Sequence, residues 1–117
     1  MFTIVLDTNI ILDAIKFKVD LFQELKRICN FNYNVAILDK TLDELKDKKN
    51  SKLALALIKK YKIKIIKTNQ GYVDDILAKL NKNYIVATND KGLKKLLKNK
   101  HYITLRQKKY LILENVL

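Results

Sequence analysis

The stretch Phe2-Thr3-Ile4-Val5-Leu6-Asp7-Thr8-Asn9 decides how the rest of the chain is read. Five uncharged, largely β-branched residues read as a strand covered on both faces, as strands of a parallel sheet are. Aspartate, threonine and asparagine follow at once, the residue types that open helices. A buried strand that passes into a helix through an acid is the beginning of a strand–helix–strand unit.

Working outward, the same kind of run recurs at Val35–Leu38, Ile63–Ile66, Tyr84–Ala87 and Tyr102–Leu105, with a sixth at Tyr110–Leu113. Between the runs the apolar period changes to three and four residues: Leu21, Phe22, Leu25 and Ile28; Leu53, Leu57 and Ile58; Val73, Ile76, Leu77 and Leu80; Leu93, Leu96 and Leu97. Strands alternating with helices predict an α/β fold, a parallel sheet with helices on both faces. Its cleft is expected at the carboxyl ends of the strands. At 117 residues, with no linker or repeat, the chain is read as one domain over residues 1–117.

The acids fall where that rule says to look. Asp7 follows the first strand, Glu44 comes shortly after the second, Asp74 and Asp75 follow the third, and Asp90 follows the fourth. Carboxylates gathered together repel unless a cation sits among them, and Mg²⁺ and Mn²⁺ favour such oxygen ligands. Each acid also has a plainer reading. Asp7, Asp74 and Asp90 stand where helix N-caps would, and Glu44 alone reads as a solvated helix residue. At about 100° per residue, Asp74 flanks the face set by Val73, Ile76, Leu77 and Leu80, whereas Asp75 points nearer to solvent. The same geometry does not separate Asp43 from Glu44.

Charge narrows the partner. Lys and Arg number 24 against 12 acids, a formal +12, which favours polyanions or else serves solubility. The stretches Lys46–Lys52 and Lys91–Lys100 are candidates for phosphate contacts or ordinary solvated faces. With two glycines, Gly71 and Gly92, the chain lacks the dinucleotide and P-loop fingerprints. The single Cys29 allows no intrachain disulfide and reads as a small core residue. His101, the one histidine, has no metal-ligand spacing around it. No apolar run approaches the roughly 20 residues that span a bilayer and no signal pattern opens the chain, so a cytoplasmic protein without membrane contact is expected.

In order along the chain, Leu6-Asp7-Thr8-Asn9, Leu42-Asp43-Glu44-Leu45, Val73-Asp74-Asp75-Ile76-Leu77 and Val86-Ala87-Thr88-Asn89-Asp90-Lys91 resemble the four acidic segments of PIN-domain nucleases. Val86–Lys91, taken with Leu105-Arg106-Gln107-Lys108-Lys109, is most similar to archaeal relatives of the ribosomal-RNA-processing members. Ile76-Leu77 departs from the pattern, which has a small residue and then Ile. The resemblance implies a three-layer α/β/α sandwich with a central, mainly parallel sheet. It implies Mg²⁺ or Mn²⁺ held by Asp7, Glu44, Asp74 and Asp90, which would be both metal ligands and catalytic residues. Asn9, Thr88 and Asp75 would support them. The implied activity is endonucleolytic cleavage of single-stranded RNA in RNA processing. The rival roles are a toxin with an antitoxin partner and a non-catalytic RNA-binding module of a ribonucleoprotein; homodimers are common in the family. Loss of an acid would mark the non-catalytic class, and all four acids are present.

Overall fold

A computed structural model describes residues 1–68, 71–98 and 100–115. In chain order the elements are β1 (Phe2–Leu6), α1 (Thr8–Lys16), α2 (Leu21–Ile28), β2 (Tyr33–Leu38), α3 (Asp39–Lys46), α4 (Ser51–Lys60), β3 (Lys64–Ile66), α5 (Val73–Ala78), β4 (Tyr84–Ala87), α6 (Lys91–Leu96), β5 (Tyr102–Arg106) and β6 (Tyr110–Glu114). The strands form one sheet in the order β3-β2-β1-β4-β5-β6. β1 to β5 are parallel, and β6 returns antiparallel to β5 through a tight turn. The mostly parallel sheet expected from the apolar runs is therefore present, and the sixth run supplies its antiparallel edge.

Side-chain alternation along the strands divides the core in two. Ile4, Leu6, Ile85 and Ala87 face one layer with Ile10, Ala14 and Leu25 from α1 and α2 and Leu45, Ala54 and Ile58 from α3 and α4. Val5, Leu38 and Val86 face the other, with Leu77 of α5 and Leu93 and Leu97 at α6. The unlike helix counts on the two faces follow from right-handed crossovers. Connections that run from β1 to β2 to β3 lay helices on one face, and those running back through β4 to β5 lay them on the other. Truncating a fully buried side chain such as Leu25 or Leu77 to Ala should cost about 2–5 kcal/mol.

Helix ends follow local chemistry. Asp20 caps α2 by accepting from the Gln23 N–H at 3.1 Å. α1 and α4 each close with a residue in the left-handed region, Lys18 (φ 58°) and Lys62 (φ 51°). The next amide, Val19 or Ile63, bonds five residues back to Ala14 or Ile58. Glycine usually occupies that position; this glycine-poor chain uses lysine. The Lys100 ammonium donates to the carbonyls of Ala78 and Leu80, placing a cation at the carboxyl end of α5.

Candidate active site

The sheet order fixes where the chemistry can be. β1 lies between β2 and β4, and the direction of the crossovers reverses there. The crevice of an open α/β sheet opens at the carboxyl ends of the two strands flanking such a reversal. Asp7 leaves β1 at that point, and Thr88, Asn89 and Asp90 leave β4. The backbone N–H of Asp7 donates to the Ala87 carbonyl at 2.9 Å, tying the two strand ends together.

Thr88 joins the two acids. Its hydroxyl donates to Asp7 Oδ2 at 2.8 Å and accepts the backbone N–H of Asp90 at 3.0 Å. Its own N–H donates to the Ile103 carbonyl of β5 at 2.9 Å. A hydroxyl has one proton to give and two lone pairs to fill, so these bonds fix its orientation. Asp7 is 5% exposed, and its Oδ1 also accepts the Thr8 N–H at 2.8 Å, so the carboxylate caps α1 from inside the protein. Asp90 is half-buried and caps α6, accepting the Leu93 N–H at 2.9 Å. A Cβ at position 92 would stand 3.1 Å from Asp90 Oδ1, so Gly92 leaves that carboxylate its room.

Asn89, between them in sequence, is a cross-brace. Its amide donates to Asp13 Oδ2 of α1 at 2.9 Å, and its Oδ1 accepts from the Thr104 hydroxyl at 3.1 Å and the Leu105 N–H at 2.9 Å. The turn carrying Thr88 and Asp90 is thereby held to α1 on one side and to β5 on the other. Neither Asp13 nor Asn89 stands out in the sequence, because their role depends on α1 passing close to β5.

The other candidates divide. Asn9 is exposed in the first turn of α1. Glu44 is exposed in the second turn of α3, and Asp43 beside it is exposed too, 3.8 Å from Lys46. The acid that directly follows β2 is instead Asp39. It accepts from the Lys40 N–H at 2.8 Å, the Thr68 hydroxyl at 2.7 Å and the Thr68 N–H at 3.2 Å. These donors, the Thr68 hydroxyl first, hold its carboxyl below the usual range. Leu38-Asp39 repeats the Leu6-Asp7 juxtaposition, and that signal in the sequence points to it. Asp75 is exposed on α5, while Leu77 is buried and Val73, Ile76 and Leu80 pack beside it, as the helical geometry requires. Asp74 belongs to the same helix, and its side chain lies outside the described residues.

Among the described residues no group of three or more acid, histidine or cysteine side chains is arranged to hold a metal ion. The pair that is assembled, Asp7 and Asp90, offers oxygen donors only, the set that suits hard divalent cations. The Thr88 hydroxyl fixes the Asp7 carboxylate and the backbone of Asp90, while the Leu93 N–H holds the Asp90 carboxylate. Carboxylates delivered to one crevice repel each other, which a cation would relieve. The donor chemistry therefore fits Mg²⁺ or Mn²⁺. Cys29, buried at the end of α2, has its thiol pushed up to about 11 by burial and contributes nothing to the site. His101 is half-buried immediately before β5.

Comparison with known proteins adds three findings. A family profile described as a PIN-like domain matches residues 4–108. Ribonuclease VapC4 of Methanocaldococcus jannaschii is 39% identical over 126 aligned residues, spanning 94% of this chain and 95% of that protein. The structure of the PIN domain endonuclease Utp24 superposes with a TM-score of 0.84 at 25% identity, covering 98% of this chain and 92% of that one.

Proposed function

This chain belongs to the PIN-like domain family, and from that premise we propose that it is a divalent-metal-dependent endoribonuclease that cuts single-stranded RNA in the cytoplasm. The single observation that carries the reading is the Asp7–Thr88–Asp90 arrangement at the β1/β4 crevice. One hydroxyl there donates to the Asp7 carboxylate and accepts the backbone N–H of Asp90, tying together two acid-bearing strand ends that are far apart in the sequence. The ribonuclease and endonuclease names of the two similar proteins support the reaction class.

Asp7 and Asp90 would hold the ion, with Asp74 and Glu44 completing the set as the family resemblance implies. Bound there, Mg²⁺ or Mn²⁺ supplies neutralisation of charge on a phosphate oxygen and makes a water more acidic. The chain's own contributions are positional. Thr88 keeps the Asp7 carboxylate from rotating, Gly92 keeps room beside Asp90, and the burial of Asp7 keeps bulk water from screening it. The lysines of α6, Lys91, Lys94 and Lys95, add positive charge next to Asp90, which favours approach of a phosphate backbone.

The test is cleavage of a labelled single-stranded RNA with Mn²⁺ or Mg²⁺, comparing the wild type with Asp7→Asn. The wild type should cut internally and only with the metal added. Asp7→Asn should lose about 10³-fold in kcat/KM, the scale of several kcal/mol of charge stabilisation, while melting like the wild type. Undiminished cleavage by the variant would remove Asp7 from the mechanism. Within this class we assign the protein to RNA processing, on the similarity of Leu105–Lys109 to the processing members. A toxin would instead arrest growth when expressed alone and be relieved by a small protein encoded beside it.

A further inference from the structure

A second charged feature lies away from the acids. The turn between α1 and α2, the outer face of α2 and the β5–β6 hairpin enclose an open cavity of about 550 Å³, and Lys18, Lys26, Arg27 and Lys109 bring positive charge to its walls. We propose that this cavity holds phosphates of the RNA strand beyond the point of cleavage, as a subsite that grips the backbone without reading bases. The proposal rests on the nuclease reading above.

Three observations carry it. First, the two acids of the cavity are already committed to the protein. Asp20 caps α2, and Glu24 takes the Arg27 guanidinium at 3.0 and 3.1 Å and the Leu111 N–H at 2.9 Å. Among the described residues no carboxylate pairs with Lys18, Lys26 or Lys109. The four cations outnumber the two acids, and Glu24 is taken up by Arg27, so the cavity keeps an excess of positive charge that favours an anion. Second, the walls are cross-linked before any ligand arrives. Arg27 also donates to the Leu111 carbonyl at 2.7 Å, fastening α2 to β6. The Lys108 ammonium sits 5.0 Å from the centre of the Phe17 ring, fastening the hairpin tip to the end of α1. Third, the segments that supply the lysines are held in a costly backbone. Lys18, Gln107 and Lys108 all have positive φ, at 58°, 53° and 56°. Asn or Gly is the usual occupant of such turns, and a side chain there costs about 1–2 kcal/mol per residue.

The location suits a strand threaded through the cleft. The hairpin leaves β5 at the carboxyl edge of the sheet, the edge that carries Asp7 and Asp90. α1 starts at Asp7 and ends at Phe17 beside the hairpin tip, about 14 Å at 1.5 Å per residue. Among the described residues no aromatic side chain lines the cavity, so they offer no stacking on bases, and recognition falls to charge.

The test uses the full chain with Asp7→Asn, so that a fluorescent oligouridylate of a dozen nucleotides is bound and not cut. One variant adds Lys18→Gln, Lys26→Gln and Lys109→Gln. A control removes equal charge at the opposite edge of the sheet, with Lys59→Gln, Lys62→Gln and Lys64→Gln. Binding is titrated against salt after melting curves show both to be folded. Each lost phosphate contact on a single strand flattens the plot of log K against log salt by about 0.7, so the cavity variant should lose about 2 from its slope. It should also bind at least tenfold more weakly at low salt, with the control close to the parent. Equal losses in the two variants, or no loss in the cavity variant, would overturn the proposal. Cleavage by the wild type separates the two readings. An enzyme that cuts RNA while the cavity variant binds like its parent keeps its function and loses this subsite. A protein that binds through the cavity and never cuts does the reverse.

Discussion

Two corners of the sheet edge are built from the same parts and differ in what surrounds them. At the centre, Asp7 follows β1 and takes the Thr88 hydroxyl on Oδ2 and the next backbone N–H, that of Thr8, on Oδ1. Toward the β3 edge, Asp39 follows β2 and takes the Thr68 hydroxyl and the next backbone N–H, that of Lys40, on Oδ1. The central aspartate is 5% exposed and Asp39 is half-exposed. The central threonine also accepts from Asp90, a second acid, whereas Thr68 donates both its hydroxyl and its N–H to the one carboxylate. An Asp–Thr pair at a strand end is therefore a generic staple. It becomes a candidate site where the crossover direction reverses, because only there do two strands deliver acids into one crevice.

The largest effect that could break this comparison comes from matched substitutions. Beside the loss of about 10³-fold expected of Asp7→Asn, Asp39→Asn should keep kcat/KM within about threefold, since it removes no charge from the crevice. A collapse of activity in Asp39→Asn, with the fold retained, would make the edge corner part of the site and dissolve the distinction.

α5 sharpens it next. That helix follows the edge strand β3 but packs with Val5 and Val86 of the central strands. If its acidic turn serves the central corner, Asp74→Asn should reduce kcat/KM by about a hundredfold, while Asp75→Asn, exposed, should change it by about threefold or less. Kinetics at matched metal concentration decide between them, and the reverse order would mean that the helix turns Asp75 toward the crevice.

The two threonines give a smaller contrast. Thr88→Val leaves a buried carboxylate oxygen without one of its donors and frees Asp90, so activity should drop about tenfold and stability by about 1–3 kcal/mol. Thr88→Ser should restore most of both. Thr68→Val should cost about 0.5–1.5 kcal/mol of stability and leave cleavage alone. Equal activity losses in Thr88→Val and Thr68→Val would show that neither hydroxyl is special to the centre.

Much of the central corner is legible in the sequence, and the reasons are physical. Phe2–Leu6 and Tyr84–Ala87 are nearly all apolar because both faces are covered, and an acid just past such a run must lie at a strand end. The order of the strands is not written locally. It decides that Asp7 and Asp90 meet and that Asp39, equally adjacent to a strand, lies one strand further out. Asp13 and Asn89 are illegible for the same reason, since their bond spans 76 positions and needs α1 to cross the edge toward β5. The segment Leu42-Asp43-Glu44-Leu45 reads correctly as helix, and both of its acids are exposed in the second turn of α3, so exposure separates Glu44 from Asp43 no better than the sequence does.

The smallest effect concerns acid. The Thr68 hydroxyl and then the Thr68 N–H favour the charged form of Asp39 more than burial opposes it, and the Lys40 N–H adds a smaller effect in the same direction. Its folded pKa is therefore below the unfolded value of roughly 3.9. A carboxyl depressed on folding contributes stability that is fully present above the unfolded value and lost as pH falls through the folded one. The formal charge of +12 grows more positive in acid and destabilises wild type and variant alike. The difference in unfolding free energy between wild type and Asp39→Asn removes that shared background. Urea unfolding from pH 6 down to about pH 2.5 should show a difference that is flat above roughly pH 5 and shrinks below it, following the carboxylate. A difference that stayed constant through the acid range would mean that Asp39 gains nothing from its charge. The staple would then be a neutral hydrogen-bonding corner, and the likeness between the two ends of the sheet edge would stop at their shape.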